Sequence, residues 1–241
     1  MKLPTVKITF LMGFFLISLY GCFSNDGQAE ESTPIQAMET VTKAVQKTTT
    51  NLESEFVEGK HYFKISPEMN TNVEDGKIEV LELFWLGCPH CYTLEPTMAR
   101  FKKSKPDDVH FDQVPATLNP SWAFHARLLY TAKILDPKGN KDLINKLFKA
   151  MHKDRIRLNK LAQAISFFEK QGVNKIEFNN AYNSMAMSAK MSYANTVSAG
   201  SQATAVPTLI INGKYRTSPY SAGGEKKLLK LLNMLIQQER G

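Results

Sequence analysis

A chain of 241 residues is long enough to bury a substantial core, and 43% hydrophobic with 22% charged residues is an ordinary globular composition. The formal net charge of +7 is uneven: residues 24–59 carry seven carboxylates against Lys43 and Lys47, so the basic excess lies in residues 60–241. Its lysines are scattered between apolar positions, as on a solvated helix face. No basic cluster interleaved with aromatics is present, which argues against nucleic acid as a partner.

In chain order, residues 1–7 are short and positive, and residues 8–20 are thirteen positions without a charge. That span is too short for a membrane-crossing helix and suits the apolar region of an export signal. Leu19-Tyr20-Gly21-Cys22 resembles a bacterial lipobox, in which the signal is cut before a cysteine that becomes lipidated. The resemblance implies a signal peptide over 1–22, a lipid on Cys22 and a periplasmic domain anchored to a bacterial membrane. An uncleaved anchor is the alternative, and either places the domain in an oxidising compartment. Residues 23–57 are polar and acidic and read as a tether, spanning roughly 30–35 Å as a flexible coil. Within it Ile35, Met38, Val41 and Val45 have helical spacing, consistent with a dimerisation element or a fraying helix.

The pattern changes at His61. Residues 61–66 read as an edge strand, 78–86 as a buried central strand bounded by Asp75-Gly76, and 109–114 as a third. Asn119 is a predicted N-cap with Pro120 at the first helical position, and it opens a long helical block. Leu143, Ile144, Leu147, Phe148 and Met151 share one helical face there, and Leu158, Leu161, Ala162, Ile165 and Phe168 share another. Residues 208–212 and 215–217 flank Gly213-Lys214 as a hairpin, and a final helix covers 225–238. His125 and His152 read as half-buried or surface positions. Trp122, Phe124, Met185, Met187 and Met191 read as core.

Chemistry concentrates in Cys88-Pro89-His90-Cys91, which follows the central strand directly and begins a helical pattern. Cys88 therefore falls at a helix N-terminus, where unpaired backbone N–H groups and the helix dipole favour an anion. Pro89 is tolerated at the first helical position, and His90 adds a donor or a positive charge that favours the thiolate. Stabilising the reduced thiolate destabilises the disulfide and makes the oxidised pair an oxidant. Cys91, one turn further on, is the shielded resolving partner. Half a zinc site has the same spacing, but His61, His110, His125 and His152 supply no matching pair, so no metal is expected. With Cys22 taken by lipid, the three cysteines leave a single pair, too close in sequence to staple distant segments.

The run Phe84-Trp85-Leu86-Gly87-Cys88-Pro89-His90-Cys91-Tyr92, with Val206-Pro207-Thr208 far downstream, resembles the DsbA family of periplasmic thiol oxidases. The resemblance covers residues 58–240. It implies an α/β class, with a thioredoxin fold carrying a helical domain inserted at about 118–203. It also implies that Val206, Pro207 and Thr208 form a cis-proline loop exposing backbone for an extended substrate. Glu82 takes the place of the family's buried acid, serving proton transfer at Cys91, and its apolar strand neighbours support burial. The lysine that often faces this acid has no counterpart in residues 111–114. Gly87 flattens the surface before Cys88.

The implied function is donation of the Cys88–Cys91 disulfide to reduced or unfolded exported proteins, with no other cofactor and with a DsbB-like membrane protein as reoxidant. A disulfide isomerase or reductase kept reduced, and a non-catalytic peptide-binding chaperone, are the alternatives.

Overall fold

A computed structural model describes residues 55–241 of the chain. The export signal, the lipidation position Cys22 and the helical spacing over 35–45 lie outside the described residues. The central strand, β2 (Ile78–Phe84), is buried at every position, its two glutamates included. A strand covered on both faces carries a continuous apolar run rather than an alternating one, as this sequence does. It ends at Phe84, before the expected residue 86, because the Cys88 N–H turns back onto the Trp85 carbonyl (2.9 Å).

Helix α1 (Pro89–Ser104) then crosses to β3 (Val109–Pro115), which runs parallel to β2 with Ile78 opposite Val109 and Glu82 opposite Gln113. On the other side of β2 lies β4 (Thr208–Ile211), antiparallel, followed by β5 (Tyr215–Thr217) and a short edge strand β1 (Tyr62–Lys64). The order β1-β5-β4-β2-β3 is the mixed five-stranded sheet expected of a βαβ half joined to a ββα half. The β4–β5 connection is three residues long, 212–214 between the paired Ile211 and Tyr215, and it turns through Asn212 and Gly213, both at positive φ (50° and 68°). A side chain at Gly213 would also collide with the Met69 carbonyl.

Five helices separate β3 from β4: α2 (Pro120–Leu135), α3 (Leu143–His152), α4 (Leu161–Lys170), α5 (Lys175–Tyr182) and α6 (Met185–Gly200). Asn119 caps α2 as its sequence predicts, its side chain accepting from the Trp122 N–H at 3.0 Å. The chain ends with α7 (Pro219–Ala222) and α8 (Glu225–Arg240).

Three buried clusters follow. Val80, Met98, Leu209 and Leu232 pack one sheet face between α1 and α8, and the same cluster takes in Phe56. Leu81, Leu83, Val114 and Ile210 meet Tyr130, Met187 and Val197 on the other face. The third cluster joins Phe84 and Leu86 to Leu129, Phe148, Phe168 and Phe178 of the inserted helices, and it contains both Cys88 and Cys91.

The structure corrects three expectations within the insertion. Leu161 and Ala162 are exposed, and α4 turns Ala164, Phe167 and Phe168 inward instead, while Leu158 is buried ahead of the helix. Met185 is 90% exposed at the start of α6, so only Met187 of the three methionines is fully core. His125 is buried, not half-buried, because its ring serves a specific partner described below.

Candidate active site

Cys88 is the N-cap of α1. Its backbone is extended (φ −84°, ψ 118°), and its Sγ accepts the Cys91 N–H at 3.4 Å. The sulfur thus takes the place that a serine or aspartate oxygen occupies in an ordinary cap, at the end of the helix where negative charge is favoured. Pro89 fills the first helical position, whose N–H has no helical partner in any case. Both thiols are free: Cys88 is 7% exposed and Cys91 1%, while His90 is exposed. Burial pushes the Cys91 thiol far above its ordinary range, with the neighbouring Cys88 and Glu82 charges adding to the effect.

Opposite the cap, the Val206–Pro207 peptide is cis, and the Cys88 thiol donates to the Val206 carbonyl at 3.6 Å. Thr208 ties the loop from behind, its hydroxyl donating to the Ala205 carbonyl at 2.8 Å. The sequence separation here is 118 residues, and β2–β4 pairing closes it.

Beneath the cysteines lies an acid pair bridged by an amide. Glu82 is completely buried, and its Oε2 accepts from Gln113 Nε2 at 2.8 Å; the same nitrogen donates to Glu95 Oε2 at 2.9 Å. The other Glu82 oxygen, Oε1, is buried without a partner. Burial pushes the Glu82 carboxyl up to about 8; the nearby Glu95 reinforces the rise and the Gln113 bond opposes it. Gln113 therefore stands where a lysine was sought. A neutral amide supplies hydrogen bonds without the positive charge that would keep Glu82 ionised.

Two histidines from the inserted helices brace the strand-to-helix turn. His125 Nδ1 accepts the Trp85 indole N–H at 2.9 Å, and the Trp85 ring stacks on both His125 and Trp122. Burial holds the His125 imidazole below its ordinary value, consistent with an acceptor nitrogen that stays unprotonated. His152 lies 2.8 Å through Nε2 from the Leu86 carbonyl and stacks nearly parallel on Tyr92, with centroids 4.7 Å apart. Gly87 sits between these braces, and a Cβ there would overlap the Trp85 indole. Its lack of a side chain is a packing requirement as well as a feature of the surface.

Beside the cap runs an open groove of about 750 Å³, lined by His90, Val206, Pro207, Phe63, Arg216 and Tyr220 among others. The structure thus brings Cys88, Cys91, Pro89, His90, Val206, Pro207 and Thr208 to one end of the sheet, with Glu82 buried on β2. Sequence reasoning missed Gln113, His125, His152 and Arg216. For Gln113 the register of two adjacent parallel strands was the available signal. His152 is 66 residues from Leu86, and no spacing announces it.

No family model matches the chain. Among curated proteins it is 38% identical over 186 residues to the thiol:disulfide interchange protein DsbA of Pseudomonas aeruginosa, covering 77% of this chain and 87% of that protein. It is also 38% identical over 183 residues to DsbA of Pseudomonas syringae pv. tomato, covering 76% and 84%. The crystal structure of Pseudomonas aeruginosa DsbA superposes with a TM-score of 0.71 at 37% identity, over 78% of this chain and 96% of that one. A thioredoxin-type sheet with inserted helices, a cysteine-capped helix facing a proline loop and this degree of identity lead to one conclusion: the chain belongs to the DsbA family of thiol:disulfide interchange proteins.

Proposed function

We propose that the chain is a dithiol oxidase that passes the Cys88–Cys91 disulfide to reduced, exported proteins. The observation that carries the reading is the capping geometry of Cys88, whose sulfur receives the Cys91 N–H at a helix start and faces the Val206 carbonyl. In the oxidised enzyme a client thiolate attacks Cys88 Sγ. The Cys88–Cys91 bond breaks, a client–Cys88 disulfide forms, and Cys91 leaves with the electron pair. Its deep burial favours the thiol, so it takes up a proton, and Glu82 is the proton donor. A second client thiolate attacks the client sulfur of the mixed disulfide and releases Cys88 as a thiolate held by the helix start. The client is oxidised by two electrons and the enzyme is left as the dithiol.

Val206, Pro207 and Thr208 hold the extended client beside Cys88, and Pro89 and His90 shape the entry. The redox-active pair is the only cofactor needed. Reoxidation falls to a DsbB-like membrane protein. The export signal and the lipobox at Cys22 support a periplasmic domain tethered to a membrane through lipid. Equilibration of the pair with glutathione, together with oxidative refolding of a reduced client, tests the reading. The pair should be more oxidising than glutathione, and the oxidised enzyme should restore the client's disulfides. A pair more reducing than glutathione would make the protein a reductase instead.

A further inference from the structure

Arg216 is a cation without a counter-ion in the groove beside the cap. It lies on β5, opposite Phe63 of β1 and Ile210 of β4, and its guanidinium carbon stands 4.9 Å from the centre of the Phe63 ring. Its Nε is buried with no acceptor, and among the described residues no carboxylate lies within ion-pair distance. Arg155 and Arg157 also make no ion pair but are exposed to water, whereas the other arginines of the described residues are engaged. Arg100 donates to Thr97, Arg127 to the Tyr182 carbonyl, and Arg240 makes two bonds to Asp108.

The groove's own carboxylate, Glu225, is already engaged, accepting the Thr97 hydroxyl at 2.6 Å. The remaining ionisable groups of its lining are His90 and Tyr220, and no second carboxylate lines it. A guanidinium held over an aromatic face, partly stripped of water and left with free donors, is suited to receive a carboxylate at two points. The surplus of basic over acidic residues in 60–241 also draws acidic segments toward this surface.

We propose that Arg216 is a specificity-determining residue that selects extended client segments carrying an aspartate or glutamate side chain near the reacting cysteine. The inference rests on the dithiol-oxidase reading above. It adds a preference among clients to it: the cysteine goes to Cys88, the backbone to the Val206–Pro207 loop, and the acidic side chain reaches along the groove to Arg216. A client with glutamine at the same place fills the same volume and leaves the guanidinium unpaired.

The test uses reduced dicysteine peptides in which a single glutamate, or its glutamine counterpart, is stepped along either side of the first cysteine. The oxidised protein's kcat/KM for each member of a pair is measured at low and high salt. At one position the glutamate peptide should be oxidised about tenfold faster than the glutamine peptide. That ratio should fall with salt, approach one in Arg216→Gln and persist in part in Arg216→Lys. Equal rates for both peptides at every position, or a preference that survives in Arg216→Gln, would overturn the proposal while leaving the oxidase reading intact. Failure to oxidise any peptide, glutamine series included, would overturn both. The glutamate-to-glutamine ratio is read within one protein at a time, so a general loss of stability in a variant does not imitate the result.

Discussion

His152, at the end of α3, lies 2.8 Å from the carbonyl oxygen of Leu86, two residues ahead of Cys88. One hydrogen bond thus joins the inserted helices to the turn that presents the sulfur, and stacking on Tyr92 of α1 fixes the ring that makes it. Leu86 is buried, so its carbonyl has no ready access to water as a substitute. His152→Ala should cost about 1–3 kcal/mol of stability by leaving that acceptor unsatisfied. Urea unfolding checks the cost, and the rate of thiol exchange at Cys88 checks that the turn has loosened.

Glu82 gives the fold a distinct pH dependence. Its carboxyl, ordinarily near 4.5, is pushed up to about 8 by burial, so between these values the folded chain holds a proton that the unfolded chain has lost. Stability from this site is fully present below pH 4.5, declines as pH rises, and levels off above pH 8. Glu82→Gln keeps the bond to Gln113 and removes the charge. It should raise stability at pH 9 by roughly 2–4 kcal/mol and flatten the decline. Denaturant midpoints across pH measure this, and a variant with the parent's slope would contradict the assignment.

His125 acts in the opposite direction. Its imidazole is held below the ordinary 6.5, so the unfolded chain binds a proton more readily and stability falls as pH drops from 6.5 toward the folded value. His125→Phe should remove that fall. At pH 8, where the imidazole is neutral, it should cost about 1 kcal/mol through loss of the Trp85 acceptor. Thermal unfolding from pH 5 to 8 separates the two effects.

Gly87 is restrained by its neighbour rather than by backbone conformation. Gly87→Ala places a methyl group into the Trp85 indole, which is itself wedged against Trp122 and His125. A cost of roughly 1–3 kcal/mol is expected, with altered tryptophan fluorescence as the local signature. Urea unfolding followed by that fluorescence reads both.

The parts of the site legible in the sequence are those built from local rules. A buried strand running into Cys88 and Pro89 fixes a helix start whatever lies around it, and Asn119-Pro120 does the same for α2. Glu82's burial followed from its apolar strand neighbours. The partners that act through space were not legible. Gln113 meets Glu82 only through the β2–β3 register, and His125 and His152 reach the turn only through the tertiary packing of α2 and α3. In α4, a helical pattern extended back to Leu158 misassigned the inward face. The helix starts at Leu161, so Leu158 is buried by loop packing and says nothing about the helix phase.

The central claim is that Cys88 accepts the client's attack and Cys91 resolves it. Trapping tests this most directly: Cys88→Ser and Cys91→Ser, each first oxidised at its remaining cysteine to the mixed disulfide with glutathione, are given a reduced client protein, whose thiolate displaces glutathione, and are compared on non-reducing gels. Cys91→Ser should accumulate a mixed disulfide through Cys88, which sits at the helix start against the Val206 loop, and Cys88→Ser should accumulate none. Mixed disulfides in Cys88→Ser and none in Cys91→Ser would contradict the account.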